Sequence, residues 1–155
     1  METKKCIVGI DPGFNGAIAF LYSDGTLFLE KMPVKIATQK ELDFKRLRAL
    51  LSAHSIKFVA LEKAFLLPEQ DLGRGSRYLY FAGAVYGLCL GLGIPVLHVQ
   101  AAVWKSALNL NSDKRGSLRL ARSLFPEQAG EFKKLKDDGK AEAALIAHFA
   151  RRLVK

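Results

Sequence analysis

The order of the β-type runs constrains this chain more than any other feature of it. Cys6 to Ile10 is a short apolar run that ends in the turn Asp11-Pro12-Gly13. Ala17 to Tyr22 is a second run, Ser23-Asp24-Gly25 a hairpin turn, and Leu27 to Glu30 a third run. Connections this short predict antiparallel pairing, so the first three strands form a meander. The pattern then changes. Leu42, Leu47, Leu50 and Leu51 fall at helical spacing, with Asp43, Lys45, Arg46 and Arg48 between them. Lys57 to Leu61 reads as a fourth strand ending at Glu62, residues 63–76 as a polar, glycine-bearing loop, Arg77 to Leu92 as a buried helix, and Val96 to Val99 as a fifth strand. Helical stretches follow at about 101–108, 114–124 and 140–153.

Strands that follow helices pair in parallel through right-handed crossovers. The expected fold is therefore α/β: a five-stranded mixed sheet flanked by helices, the ribonuclease-H-like architecture. With 155 residues and no repeat or Pro/Ser-rich linker, residues 1–155 are expected to form a single domain. The apolar region Tyr78 to Val99 is about long enough to suggest a membrane span. Gly93-Ile94-Pro95 breaks it into a helix and a strand. No targeting segment is evident, and the expected location is cytoplasmic, near the nucleoid or in a host cytoplasm. Cys6 and Cys89 both sit in apolar runs, which excludes a disulfide scaffold, and no Cys/His spacing suits zinc. Lysine and arginine number 24 against 15 acids, a net charge of +9. That excess favours an anionic partner such as nucleic acid.

Against this basic background, a few acids stand at strand ends and helix starts. Asp11 shares a strand face with Ile7 and Gly9, although Asp-Pro-Gly is also a good turn by itself. Glu62 shares a face with Phe58 and Ala60. Glu142, Leu145, Ile146, Phe149 and Leu153 form the inward stripe of an amphipathic helix, with the acid at its top. A carboxylate on such a stripe needs a counter-charge. Asp138 lies one turn earlier on the same face, where an N-cap role would also explain it. Converging carboxylates repel one another, and Mg²⁺ removes the conflict. Two such ions about 4 Å apart activate a water and stabilise a leaving oxygen in phosphodiester hydrolysis.

Several stretches carry a resemblance. Gly9-Ile10-Asp11-Pro12-Gly13 with Gly16-Ala17, Leu61-Glu62-Lys63, Gly93-Ile94-Pro95-Val96, Trp104-Lys105, Leu124-Phe125-Pro126 and Lys136-Asp137-Asp138-Gly139-Lys140-Ala141-Glu142-Ala143 occur in order. Together they resemble the RuvC-like Holliday junction resolvases, in the branch of bacterial and phage RuvC-like proteins and the plant chloroplast resolvase. The resemblance implies a homodimeric endonuclease of DNA recombination and repair. It would cut four-way junctions symmetrically, with two Mg²⁺ per active site and Mn²⁺ as a substitute. It makes Asp11, Glu62, Asp138 and Glu142 the catalytic metal ligands. Here the last two acids are four residues apart rather than the three of the enterobacterial pattern; Asp137 is the alternative to Asp138.

Lys63, Arg74, Arg77, Lys105, Lys114, Arg115, Lys133, Lys134 and Lys136 are the candidate DNA contacts, with a solvated basic face as the plain alternative. Phe65 and Tyr78 flank a basic loop and could stack on unpaired bases, or simply pack. Gly83, Gly87 and Gly91 would let the sheet or a second subunit approach the 77–92 helix closely. Three other readings compete. An actin-like ATPase needs a second lobe that 155 residues do not supply. A ribonuclease-H-like nuclease acting on RNA or on other branched nucleic acid, and a DNA-binding module without catalysis, remain alternatives.

Overall fold

The structure, a computed structural model, describes residues 3–65 and 72–154. A five-stranded sheet has the order β3-β2-β1-β6-β7, with β1 Cys6–Asp11, β2 Ala17–Tyr22, β3 Leu27–Lys31, β6 Ile56–Glu62 and β7 Val96–Val99. The first three strands pair antiparallel, and β1–β6 and β6–β7 pair parallel. The expected mixed ribonuclease-H-like sheet is thus present. Its helices are α1 Phe44–Ser52, α2 Leu72–Gly91, α3 Ala101–Ala107, α4 Lys114–Leu124 and α5 Asp138–Leu153. Asp43 and Asp113 start α1 and α4 by accepting the Arg46 and Arg115 backbone N–H groups. Among the described residues no helix is long and apolar enough to cross a membrane.

Alternation along the strands divides the core in two. Ile7, Ala17, Ala19, Phe58 and Ala60 face α5, together with Trp104 and the buried side of α4. Val8, Ile10, Ile18, Phe20, Val59 and Leu61 face α1 and α2. Burying both faces of the central strands is what makes β1 and β2 almost continuously apolar.

Two departures from the expected elements have local causes. Residues 34–42 form a small antiparallel ribbon, β4 Val34–Ile36 with β5 Lys40–Leu42. Its strands, Val-Lys-Ile and Lys-Glu-Leu, are three residues long, so they carry no readable alternation. The second departure is at α2, which begins at Leu72, so Leu72 to Ser76 are helical rather than part of a loop. Gly73 and Gly75 hide that turn, since glycine disfavours helix by about 1 kcal/mol and reads as a break. Of the rest of the expected 63–76 loop, Lys63 to Phe65 are irregular as expected and residues 66–71 lie outside the described residues.

Helix α5 packs against the sheet with unusual closeness. A Cβ built on Gly9 would lie 2.1 Å from the Ala143 carbonyl oxygen and 2.5 Å from the Ala147 nitrogen. A Cβ on Gly139 would lie 2.4 Å from the Asn15 oxygen. The α5 face presents Ala143, Ala144, Ala147 and Ala150, all fully buried. Such contacts with backbone atoms leave no side chain free to yield. Gly9→Ala is therefore expected to destabilise the protein by about 1–3 kcal/mol, read by urea unfolding. Unchanged stability would mean that the helix sits farther from β1 than described.

Candidate active site

β1 and β6 are neighbours, with Ile10 opposite Leu61. Asp11 and Glu62 follow that pair and end their strands side by side. Alternation turns both carboxylates to the α5 side, where Ile7, Phe58 and Ala60 also point. Glu142 stands in the first turns of α5, above Leu145, Ile146 and Phe149, all buried; Leu153 at the end of the stripe is exposed. Carboxylate oxygens of Asp11, Glu62 and Glu142 all lie within 4.8 Å of one another. Three acids spread over most of the chain thus meet at one point.

Their surroundings differ. Glu62 is buried, and both its oxygens accept hydrogen bonds: from Tyr78 Oη at 2.9 Å and from Trp104 Nε1 at 2.8 Å. Glu142 is paired with Lys105 Nζ at 2.9 Å. Asp138 sits at the margin of the group, paired with Lys114 Nζ at 2.9 Å. Asp137 is turned elsewhere and accepts the Lys134 backbone N–H at 3.0 Å. Of the two neighbouring aspartates, Asp138 is the one whose charge reaches Asp11.

Electrostatics follow from this crowding. Burial pushes the Asp11 carboxyl well above the usual carboxylate range; Glu142, Glu62 and Asp138 push it further, and Lys105 opposes them. Burial raises Glu142 as well, against the hydrogen bond and charge of Lys105. The bond to Asp138 and its charge raise the Lys114 ammonium. The donor set is entirely carboxylate oxygen, converging on one point and in electrostatic conflict. That chemistry fits a hard divalent cation such as Mg²⁺ or Mn²⁺, which would let all three acids ionise together. Asp11, Glu62 and Glu142 would hold it, with Asp138 beside them.

The remaining predicted residues divide into two groups. Lys105 and Lys114 lie within the acid site. Lys63, Arg74, Arg77, Arg115, Lys133, Lys134 and Lys136 are exposed, and lie after β6, along α2, at the start of α4 and before α5. The Lys63 ammonium lies over the Phe65 ring, 5.3 Å from its centroid. Sequence reasoning did not assign the two donors to Glu62. Tyr78 is read there as a stacking or packing residue, and Trp104 enters only within a motif. The available signal is general: a buried indole N–H or phenol needs a polar partner, and Glu62 is the buried acid nearby.

The comparisons with known proteins agree with this architecture. No family model matches the chain. A stretch of 74 residues, 46% of the chain, is 39% identical to the chloroplastic Holliday junction resolvase MOC1 of Chlamydomonas reinhardtii, and the chain spans 8% of that protein's length. RuvC of T. thermophilus, solved in complex with a Holliday junction substrate, superposes with a TM-score of 0.63 over 97% of this chain and 96% of that one, at 17% identity. The yeast mitochondrial Holliday junction resolvase Ydc2 gives 0.58 over 98% of this chain and 80% of that one, at 15% identity. The resemblance to RuvC-like resolvases carried by the motifs is borne out, and the fold is the one these structures share.

A test of the crowding uses stability rather than activity. Because burial and the neighbouring acids hold the Asp11 carboxyl above its unfolded range, ionising it opposes folding as pH rises, and the opposition fades as pH falls. Asp11→Asn should therefore raise Tm in metal-free neutral buffer, by about 2–4 °C for each kcal/mol relieved. Added Mg²⁺ should raise the Tm of the parent chain more than that of the variant. A lower Tm for the variant would contradict the account.

Proposed function

We propose that this chain is a structure-specific DNA endonuclease that resolves four-way junctions by metal-dependent phosphodiester hydrolysis. It would act as one ribonuclease-H-like nuclease domain over residues 1–155, with Mg²⁺ as the cation and Mn²⁺ as its substitute, where DNA is recombined and repaired in the nucleoid or cytoplasm. The observation that carries the reading is the meeting of Asp11, Glu62 and Glu142 within 4.8 Å on a chain of net charge +9. The fold shared with the Holliday junction resolvase Ydc2 and with RuvC bound to a Holliday junction substrate supports the choice of DNA. So does the stretch similar to the chloroplastic resolvase.

A divalent cation held by these acids supplies activation of the attacking water and stabilisation of charge at the scissile phosphate. The chain's own residues do the rest. Asp11 and Glu62, anchored on adjacent strands, and Glu142 on α5 set the position of the cut. Asp138 completes the acid set. Lys105 and Lys114 hold Glu142 and Asp138 until phosphate arrives, and their ammonium groups then have an anion to meet. Lys63, Arg74, Arg77, Arg115, Lys133, Lys134 and Lys136 hold the duplex arms by their backbones, which makes affinity fall steeply with salt.

Symmetric cutting requires two such sites, and α2 supports a homodimer. Its inner side, Phe81, Ala82, Val85 and Cys89, is buried against the sheet. Its outer side exposes Tyr80, Tyr86 and Leu90, and a Cβ on Gly83, Gly87 or Gly91 would meet nothing within 4 Å. A two-fold pairing of these faces would match the symmetry of the junction.

Incubation with an immobile synthetic junction and Mg²⁺ tests the activity. Expected are paired nicks at equivalent positions on opposed strands, each leaving a 5′-phosphate. Asp11→Asn should abolish cutting while junction binding stays equal or tightens, since a negative charge near phosphate is gone. Loss of binding in that variant, or cleavage of RNA hybrids in preference to junctions, would overturn the assignment. Gly87→Glu on the outer face of α2 should give a monomer by light scattering and unpaired nicks at most.

A further inference from the structure

Glu62 differs from its companions in what holds it. Its two partners are neutral donors, whereas Glu142 and Asp138 face lysines. Those donors come from two separate elements, Tyr78 from α2 and Trp104 from α3, and each takes one carboxylate oxygen. An ionised carboxylate oxygen has two lone pairs, so one on each oxygen stays available for a cation. A cation arriving there meets no like charge on Tyr78 or Trp104, and their bonds can persist. Trp104 is fully buried and its Nε1–H is satisfied by this contact. The Tyr78 ring also lies beside Gly13, where an added Cβ would come 3.3 Å from its Cδ2. One side chain therefore stands next to the turn that follows Asp11 and donates its hydroxyl to Glu62.

The geometry points to Tyr78 and Trp104 as positioning residues that lock the Glu62 carboxylate before the cation binds, with Tyr78 as the strut between Glu62 and the Asp11 turn. This rests on the reading of the acid cluster as a metal centre. Donors that orient a metal ligand commonly change metal affinity roughly 10- to 100-fold when removed. Tyr78→Phe deletes only the hydroxyl and keeps the ring against Gly13.

The test titrates the full chain with Mn²⁺ by calorimetry. Tyr78→Phe should bind Mn²⁺ roughly 10- to 100-fold more weakly than the parent. Its junction affinity in EDTA should match the parent, and its metal-free Tm should fall only modestly, since one Glu62 oxygen loses its donor. At saturating Mn²⁺ its kcat on the junction should fall while KM holds, a split that general loosening of the fold would not give. Parental Mn²⁺ affinity in Tyr78→Phe, alongside a clear loss in Glu62→Gln, overturns the positioning role and leaves the metal centre standing. If the parent chain binds no Mn²⁺, or Glu62→Gln binds it as the parent does, the metal centre falls and this inference falls with it.

Discussion

The rest of the site depends on how closely α5 approaches β1. The absence of a side chain at Gly9 lets the Ala143 and Ala147 backbone descend onto the strand. Gly139 does the same against the Asn15 carbonyl, close to the start of the helix. These two positions fix both the depth and the axial register of α5. With register fixed, Glu142 comes opposite the ends of β1 and β6, where Asp11 and Glu62 wait. An approach half a side chain wider would leave the same acids at their positions along the chain but too far apart to share a cation. The alanines along α5 are therefore more than core filler: they are small because the carboxylates must be close.

Closeness has an electrostatic consequence that the fold must absorb. Burial first, and the neighbouring carboxylates after it, push Asp11 toward neutrality, and burial does the same to Glu142. Lys105 and Lys114 relieve Glu142 and Asp138, but neither is bonded to Asp11 or Glu62. Glu62 is relieved by hydrogen bonds without any neutralisation of charge. The net charge of the cluster thus remains negative, and that residue of repulsion is what a divalent cation would draw on. A site stable without the cation would have little affinity for it.

Much of this was legible in the sequence, for physical reasons. Strand alternation predicts that Asp11 lies with Gly9 and Glu62 with Ala60, and both faces prove to be the α5 face. Helical periodicity predicts that Glu142 points inward with Leu145 and Ile146. Periodicity is reliable here because burial on two faces leaves the pattern little freedom. The ribbon at 34–42 was not legible, since strands of three residues with polar faces have no period to read. The start of α2 was obscured by Gly73 and Gly75, whose local preference is overruled by packing: Gly75 is buried. The roles of Tyr78 and Trp104 were hidden for another reason. Hydrogen bonds between side chains 16 and 42 residues apart leave no trace in local spacing.

One feature of the charge pattern joins the site to its surroundings. Phosphate approaching a bare cluster of acids would be repelled at short range, however basic the rest of the molecule. Here the two acids nearest the α3–α4 side, Glu142 and Asp138, are each already matched by an ammonium at 2.9 Å. In each pair the lysine side chain is more exposed than the carboxylate it meets. The long-range field of a +9 chain can therefore draw a nucleic-acid backbone inward without a reversal of sign at the last few ångströms. On the proposed reading, the same ammonium groups would serve the acids when DNA is absent and the phosphate when it is present. Replacing either one would then disturb two states of the site at once.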